Sequence, residues 1–130
     1  MKSQILLFAL LVALAAVTSG CLLFVAGAAA GAGVGTYAYV SGELQASEAV
    51  KLDKAWDATQ AAMKDMSYTV TAKEKGGLEA SLTARGPGDQ KVQIHLVKQS
   101  DTVTKIGIRV GTFGDETLSR QILDKIKSHF

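Results

Sequence analysis

The stretch VQIHLVKQSDTVTKIGIRV, Val92–Val110, decides the fold. Val92, Ile94 and Leu96 alternate with Gln93 and His95. After the turn residues Gln99-Ser100-Asp101, Thr104, Ile106, Ile108 and Val110 alternate with Lys105, Gly107 and Arg109. A period of two places successive side chains on opposite faces of a strand, so each run has one apolar and one polar face. Two such runs joined by a short polar turn make an antiparallel hairpin with one dry face. Gln93, His95, Lys105 and Arg109 are expected on its wet face.

Working outward from that hairpin, the same period recurs. Leu78, Ala80, Leu82 and Ala84 follow the Gly76-Gly77 turn and end at Gly86-Pro87-Gly88-Asp89, which contains the only proline. Tyr68, Val70 and Ala72 read as the apolar face of the strand before it. Leu52, Ala55, Trp56, Thr59, Met63 and Met66 instead fall at helical spacing, with Lys54, Asp57, Lys64 and Asp65 opposite. Trp56 reads as the core anchor of that helix. Upstream, Tyr37 to about Val50 reads as one strand, with Gly42 a bulge or bend where the parity changes. Downstream, Asp115 and Glu116 open a second helix and Lys125 and Lys127 lie near its end, both placements favourable to the helix dipole. Leu118, Ile122, Ile126 and Phe130 form its apolar stripe. The order is strand, helix, four strands, helix. It predicts a two-layer α+β domain over residues 37–130, a five-stranded, mainly antiparallel sheet with two helices on one face.

The first third of the 130 residues has a different character. No charged residue occurs from Ser3 to Gly42, whereas from Glu43 onward charges of both signs are interleaved. Met1-Lys2 supplies a positive start, Ile5–Val17 is an unbroken apolar run, and Thr18-Ser19-Gly20 are small. That layout is a secretory signal peptide over residues 1–20, and the run is short of the ~20 residues a membrane span needs. Val17-Thr18-Ser19-Gly20-Cys21 resembles a bacterial lipobox. The resemblance implies cleavage between Gly20 and Cys21, acylation of Cys21, and membrane lipid as a partner through that residue. Each buried methylene contributes ~0.8 kcal/mol, so several acyl chains make a lasting anchor. Leu22, where an Asp is the inner-membrane retention signal, points to sorting to the outer membrane, facing the periplasm.

Residues 21–36 are then a lipidated N-terminus and Gly/Ala-rich tether, or a membrane helix. Leu22–Val40 is uncharged and about one span long. Gly27, Gly31 and Gly35 recur every four residues, a spacing that lets membrane helices approach closely. The alternative to a tethered domain is therefore an integral membrane protein that spans with residues 22–40 and self-associates through that glycine face. In water the same glycines work against a helix, by ~1 kcal/mol each relative to Ala.

Thr36-Tyr37-Ala38-Tyr39-Val40 with Gly42-Glu43-Leu44, Leu52-Asp53-Lys54-Ala55-Trp56, and Ile108–Asp115 with Leu118–Leu123 resemble a family of small bacterial lipoproteins known only as a domain of unknown function. The resemblance runs from the Gly/Ala-rich segment to the C-terminus. It implies no activity, cofactor or catalytic residue.

Past Gly42 the balance is 13 Lys/Arg against 12 Asp/Glu with no basic cluster, which argues against nucleic acid as a partner. Cys21 is the only cysteine, so an intrachain disulfide and a Cys-based zinc site are excluded. His95 and His129, the only histidines, have no metal-ligand spacing, and no metal, cofactor or catalytic residue is expected. His95 reads as a solvated residue of the sheet face. Gly111-Thr112-Phe113-Gly114 ahead of a helix offers amides to an anion, but Asp115 and Glu116 already hold that end, so it reads as a capped turn. Arg109 and Arg120 flank it and are placed to pair with Asp115; Arg109, Phe113 and Arg120 form a candidate patch for an envelope protein partner. The expected function is a non-enzymatic binding or structural module held at the bacterial envelope.

Overall fold

A computed structural model describes residues 4–6, which are helical, and residues 34–130. The chain divides into two compact units, residues 1–33 and 34–130, and every core residue among those described belongs to the second. Gly20, Cys21, Gly27 and Gly31 lie outside the described residues, as do the expected cleavage site and residues 21–33 of the expected tether.

The second unit runs β1 (Tyr37–Val40), β2 (Glu43–Glu48), α1 (Leu52–Asp65), β3 (Thr69–Lys75), β4 (Glu79–Arg85), a short 3₁₀ turn (Pro87–Asp89), β5 (Lys91–Ser100), β6 (Val103–Val110) and α2 (Glu116–Lys127). The strands form one sheet in the order β1-β2-β6-β5-β4-β3, antiparallel throughout. The α+β class and the antiparallel sheet agree with the sequence reading. The strand number is six, not five.

The extra strand arises at Ser41-Gly42. Both residues take positive φ, 52° and 82°, which makes a two-residue type I′ turn whose twist suits flanking antiparallel strands. The expected single strand over 37–50 therefore folds back on itself, Tyr37 facing Ala46 and Tyr39 facing Leu44. The parity change at Gly42 is a hairpin and not a bulge.

One face of the sheet is dry. Leu44, Leu82, Val92, Ile94, Leu96, Ile106, Ile108 and Val110 are all at most 2% exposed, beneath α1 and α2. α1 contributes Leu52, Ala55, Trp56, Ala58, Ala62 and Met63, with Trp56 buried as expected. α2 contributes Ile122, Leu123 and Ile126, with Leu118 packed against the core and Phe130 largely outside it. Glu48 on this side is buried and pairs with Lys127 at 3.5 Å.

β3 departs from expectation along its whole length, because every residue in it is exposed. A bulge between Val70 and Ala72 reverses its parity: Val70 faces Ala84 on the helix side, whereas Ala72 faces Thr83 on the other. Lys73 and Lys75 then turn to the helix side, where Lys73 donates to Gln60 at 3.4 Å and Lys75 pairs with Asp53 at 2.6 Å. Long charged side chains thus cover an edge the helix leaves uncovered. Leu78, assigned to the apolar face of β4, lies ahead of that strand and is 70% exposed.

Candidate interaction surface

Antiparallel order puts the end of β1, the start of β2, the end of β4, the start of β5 and the end of β6 at one end of the sheet. The turns Ser41–Gly42 and Gly86–Gln90 and the loop Gly111–Gly114 therefore gather there. Val34–Thr36, where the chain enters the domain, lies at the opposite end.

The Gly111–Gly114 loop is fixed at both stems. Gly111, at φ 70°, donates its N–H to Lys91 O at 2.7 Å. Gly114, at φ 84°, packs against Gly42 and the Tyr39 hydroxyl so closely that a side chain there would collide with both. Asp115 caps α2 by accepting the Leu118 N–H at 2.9 Å, satisfying one of the free amides at the helix start. Arg109 ties the loop to the hairpin: its guanidinium donates to Ser41 O at 2.7 Å and to Thr112 O at 3.4 Å. Between these fixed points stands Phe113, 93% exposed. Beside it an open depression is lined by Arg85, Asp89, Gln93, Lys91, Arg109 and Thr112, among others.

Of the three patch residues read from sequence, the fold brings two together. Arg109, opposite Glu43 and Gln93 on the helix-free face at the end of β6, holds the loop that carries Phe113. Arg120 lies in the helix layer, its guanidinium 4.6 Å above the Tyr37 ring and paired with Glu116 at 2.6 Å. Neither arginine pairs with Asp115, whose carboxylate is used by the cap. What the sequence reading missed is the second half of the support, the Ser41-Gly42 turn and Tyr39. Its signal was a Ser-Gly pair between two alternating runs. Gly35, the described member of the glycine series, takes φ 80° and donates its N–H to Ser47 O at 2.7 Å.

His95 is exposed on the helix-free face between Ser81 and Gly107, in a second open depression with Glu74, Glu79 and Val97. The Glu43 carboxylate lies over Gly107, occupying the space a side chain would need. His129 contacts Asp65 at 2.6 Å and joins the ends of the two helices. Among the described residues no three His, Cys, Asp or Glu side chains are grouped to hold a metal ion.

Among the described residues three ionisable groups are perturbed. Lys75 hydrogen-bonds Asp53, and its charge adds to that bond, holding the carboxyl below its usual range. Lys98 does the same to Asp101. Burial pushes the Tyr68 phenol above its ordinary value, and the negative charge of Asp115 adds to that.

These features define a two-layer α+β domain with one sheet face open to solvent and one reinforced loop end. The chain belongs to the family described as Protein of unknown function (DUF3568), whose model matches residues 4–129. That match takes in the apolar N-terminal stretch as well as the folded domain. No curated protein matches the chain.

Proposed function

We propose that the protein is a lipid-anchored component of the bacterial envelope, at the outer membrane facing the periplasm, whose domain binds another envelope component without catalysing a reaction. The observation that carries this reading is a lone cysteine directly after an apolar run and three small residues, in a leader free of charge from Ser3 to Gly42. Support comes from the division of the chain at residue 33, because the core among the described residues is built from Leu44 through Ile126, past residue 20. The contact surface in this reading is the Phe113 loop with Arg109 beside it. An exposed aromatic on a braced loop loses little freedom on binding, which is the economy that makes rigid aromatic anchors effective. The loop stands at the end of the sheet opposite Val34–Thr36.

The rival reading, a span over residues 22–40, has its last four residues in β1. Among the described residues no helix is long and apolar enough to cross a membrane. Replacement of Cys21 by alanine separates the two readings. Lipid anchoring predicts that the variant leaves the membrane fraction without detergent, and retention of the variant in the membrane refutes it.

A further inference from the structure

Strand register gathers positive charge at the loop end of the helix-free face. Arg85, Lys91 and Arg109 are dispersed in the sequence, yet Arg85 faces Lys91 across β4 and β5. Arg109 faces Gln93, the next residue of β5 on the same face as Lys91. All three cations line the open depression beside the Phe113 loop, about 620 Å³ in volume.

Like charges directly opposite each other on neighbouring strands destabilise a sheet. Here their compensation is incomplete. Asp89 supplies the carboxylate among the described lining residues, but its Oδ1 is 3.9 Å from Arg85 Nε and both side chains are exposed, so the pair contributes little. Lys91 has no ion pair or side-chain hydrogen bond among the described residues. Arg109 is held by two neutral acceptors, Ser41 O and Thr112 O. Glu43, its cross-strand neighbour, sets its carboxylate over Gly107 instead.

We propose that this depression binds a phosphate ester, seated between the Arg85–Lys91 pair and the Arg109 guanidinium. Three cations against one exposed carboxylate match a dianion better than a singly charged ligand. Arg109 is already fixed by its two carbonyls, so its other N–H donors are presented with little further loss of freedom on binding. The depression is larger than a bare phosphate, which leaves room for the group that carries it. A single cluster of cations, and not a stripe, fits one phosphate rather than a nucleic-acid backbone. An anion between Arg85 and Lys91 also replaces their repulsion with a shared attraction, so binding and sheet stability are linked.

That linkage gives the test a sign that a merely structural lysine would not show. The full chain in neutral detergent is unfolded thermally, followed by the fluorescence of the buried Trp56, with inorganic phosphate as the probe and chloride holding the ionic strength constant. Without phosphate, Lys91→Gln is expected to be slightly more stable than wild type, because it removes the like-charge pair. At about ten times its Kd, phosphate is expected to raise the wild-type Tm by roughly 5–10 °C, and the order of the two proteins then reverses. Lys105→Gln removes a cation of the same face outside the depression, opposite Val97 and Ser47, and keeps the wild-type response. Equal shifts in all three proteins reflect only the exclusion of phosphate from protein surfaces, and overturn the site. A short-chain phosphatidate then names the source of the phosphate. A larger difference between wild type and Lys91→Gln than inorganic phosphate gives assigns a lipid headgroup, and an equal difference assigns a soluble phosphate compound. The site goes beyond the anchored reading and does not depend on it, since fractionation of Cys21→Ala tests the anchor whatever residue 91 does.

Discussion

Replacing Gly114 with alanine tests whether the Phe113 loop is locked onto the β1–β2 turn. Two costs coincide at this position. At φ 84° an alanine is in the left-handed region, a cost of about 1–2 kcal/mol. Its Cβ also meets Gly42 Cα at 2.6 Å, backbone that moves only if the hairpin lifts from the loop, and overpacking of that kind costs about 1–3 kcal/mol. The smaller entropy of unfolded alanine returns about 0.4–1 kcal/mol. The net loss is roughly 2–4 kcal/mol, against a total of about 5–15 kcal/mol for a domain of this size. By the usual conversion it lowers Tm by roughly 10–25 °C. Two companions separate the terms. Gly111 shares the positive φ, at 70°, but has only Gln90 Nε2 at 3.8 Å, so its alanine variant feels the backbone cost alone. Gly77 has neither strain nor a neighbour within 4 Å and its alanine variant stays within about 0.5 kcal/mol of wild type. Thermal and urea unfolding of residues 34–130 reads all three. Equal midpoints for Gly114→Ala and Gly111→Ala refute the close contact with the hairpin.

Other perturbations have definite signs. Ser41→Asn creates the Asn-Gly pair that type I′ turns favour and should stabilise the domain by about 0.5–1 kcal/mol, visible as a Tm rise of a few degrees. Lys127→Ala leaves the buried Glu48 carboxylate without its partner and should cost about 1–2 kcal/mol, discounted because Lys127 is itself 39% exposed. Adding Glu48→Gln to that variant should recover much of the loss in urea unfolding; no recovery means that the charge is not the cause. The raised phenol pKa of Tyr68 means the folded state holds that proton more tightly than the unfolded chain does. Its stability contribution is therefore complete below the ordinary value of 10.0 and lost as pH rises through the raised one, so Tyr68→Phe should unfold with a shallower alkaline slope. On the acid side Asp53 contributes above the ordinary carboxylate value and loses that contribution as pH falls through its lowered one. Lys75→Ala should return its titration, followed by NMR, to the ordinary range.

Much of the fold is legible in the alternation itself, because burial of one face enforces period two wherever a strand is covered. Val92–Val110 shows this most clearly, and the helix stripes around Trp56 and Ile122 follow the same logic at period 3.6. Legibility fails where nothing is buried. β3 is exposed throughout, so Tyr68, Val70 and Ala72 presented an apparent stripe that the bulge at Thr71 breaks. The β1–β2 hairpin was hidden for another reason: a turn that needs positive φ at Ser41 is unusual for a residue with a side chain, and the parity change alone fits a bulge equally well. The patch was half legible. Arg109 at the end of β6 and Phe113 in the loop that follows lie together, but Arg120 is one helical turn past Glu116 and its partner is set by that spacing and not by proximity to Asp115 in sequence.

The intact mass of protein extracted from membranes reaches the central claim most directly. The account predicts a species that begins at residue 21 and is heavier than the bare Cys21–Phe130 chain by a diacylglyceryl group and an N-linked acyl chain. A mass that still includes residues 1–20, or one that fits an unmodified sulfur at residue 21, contradicts it.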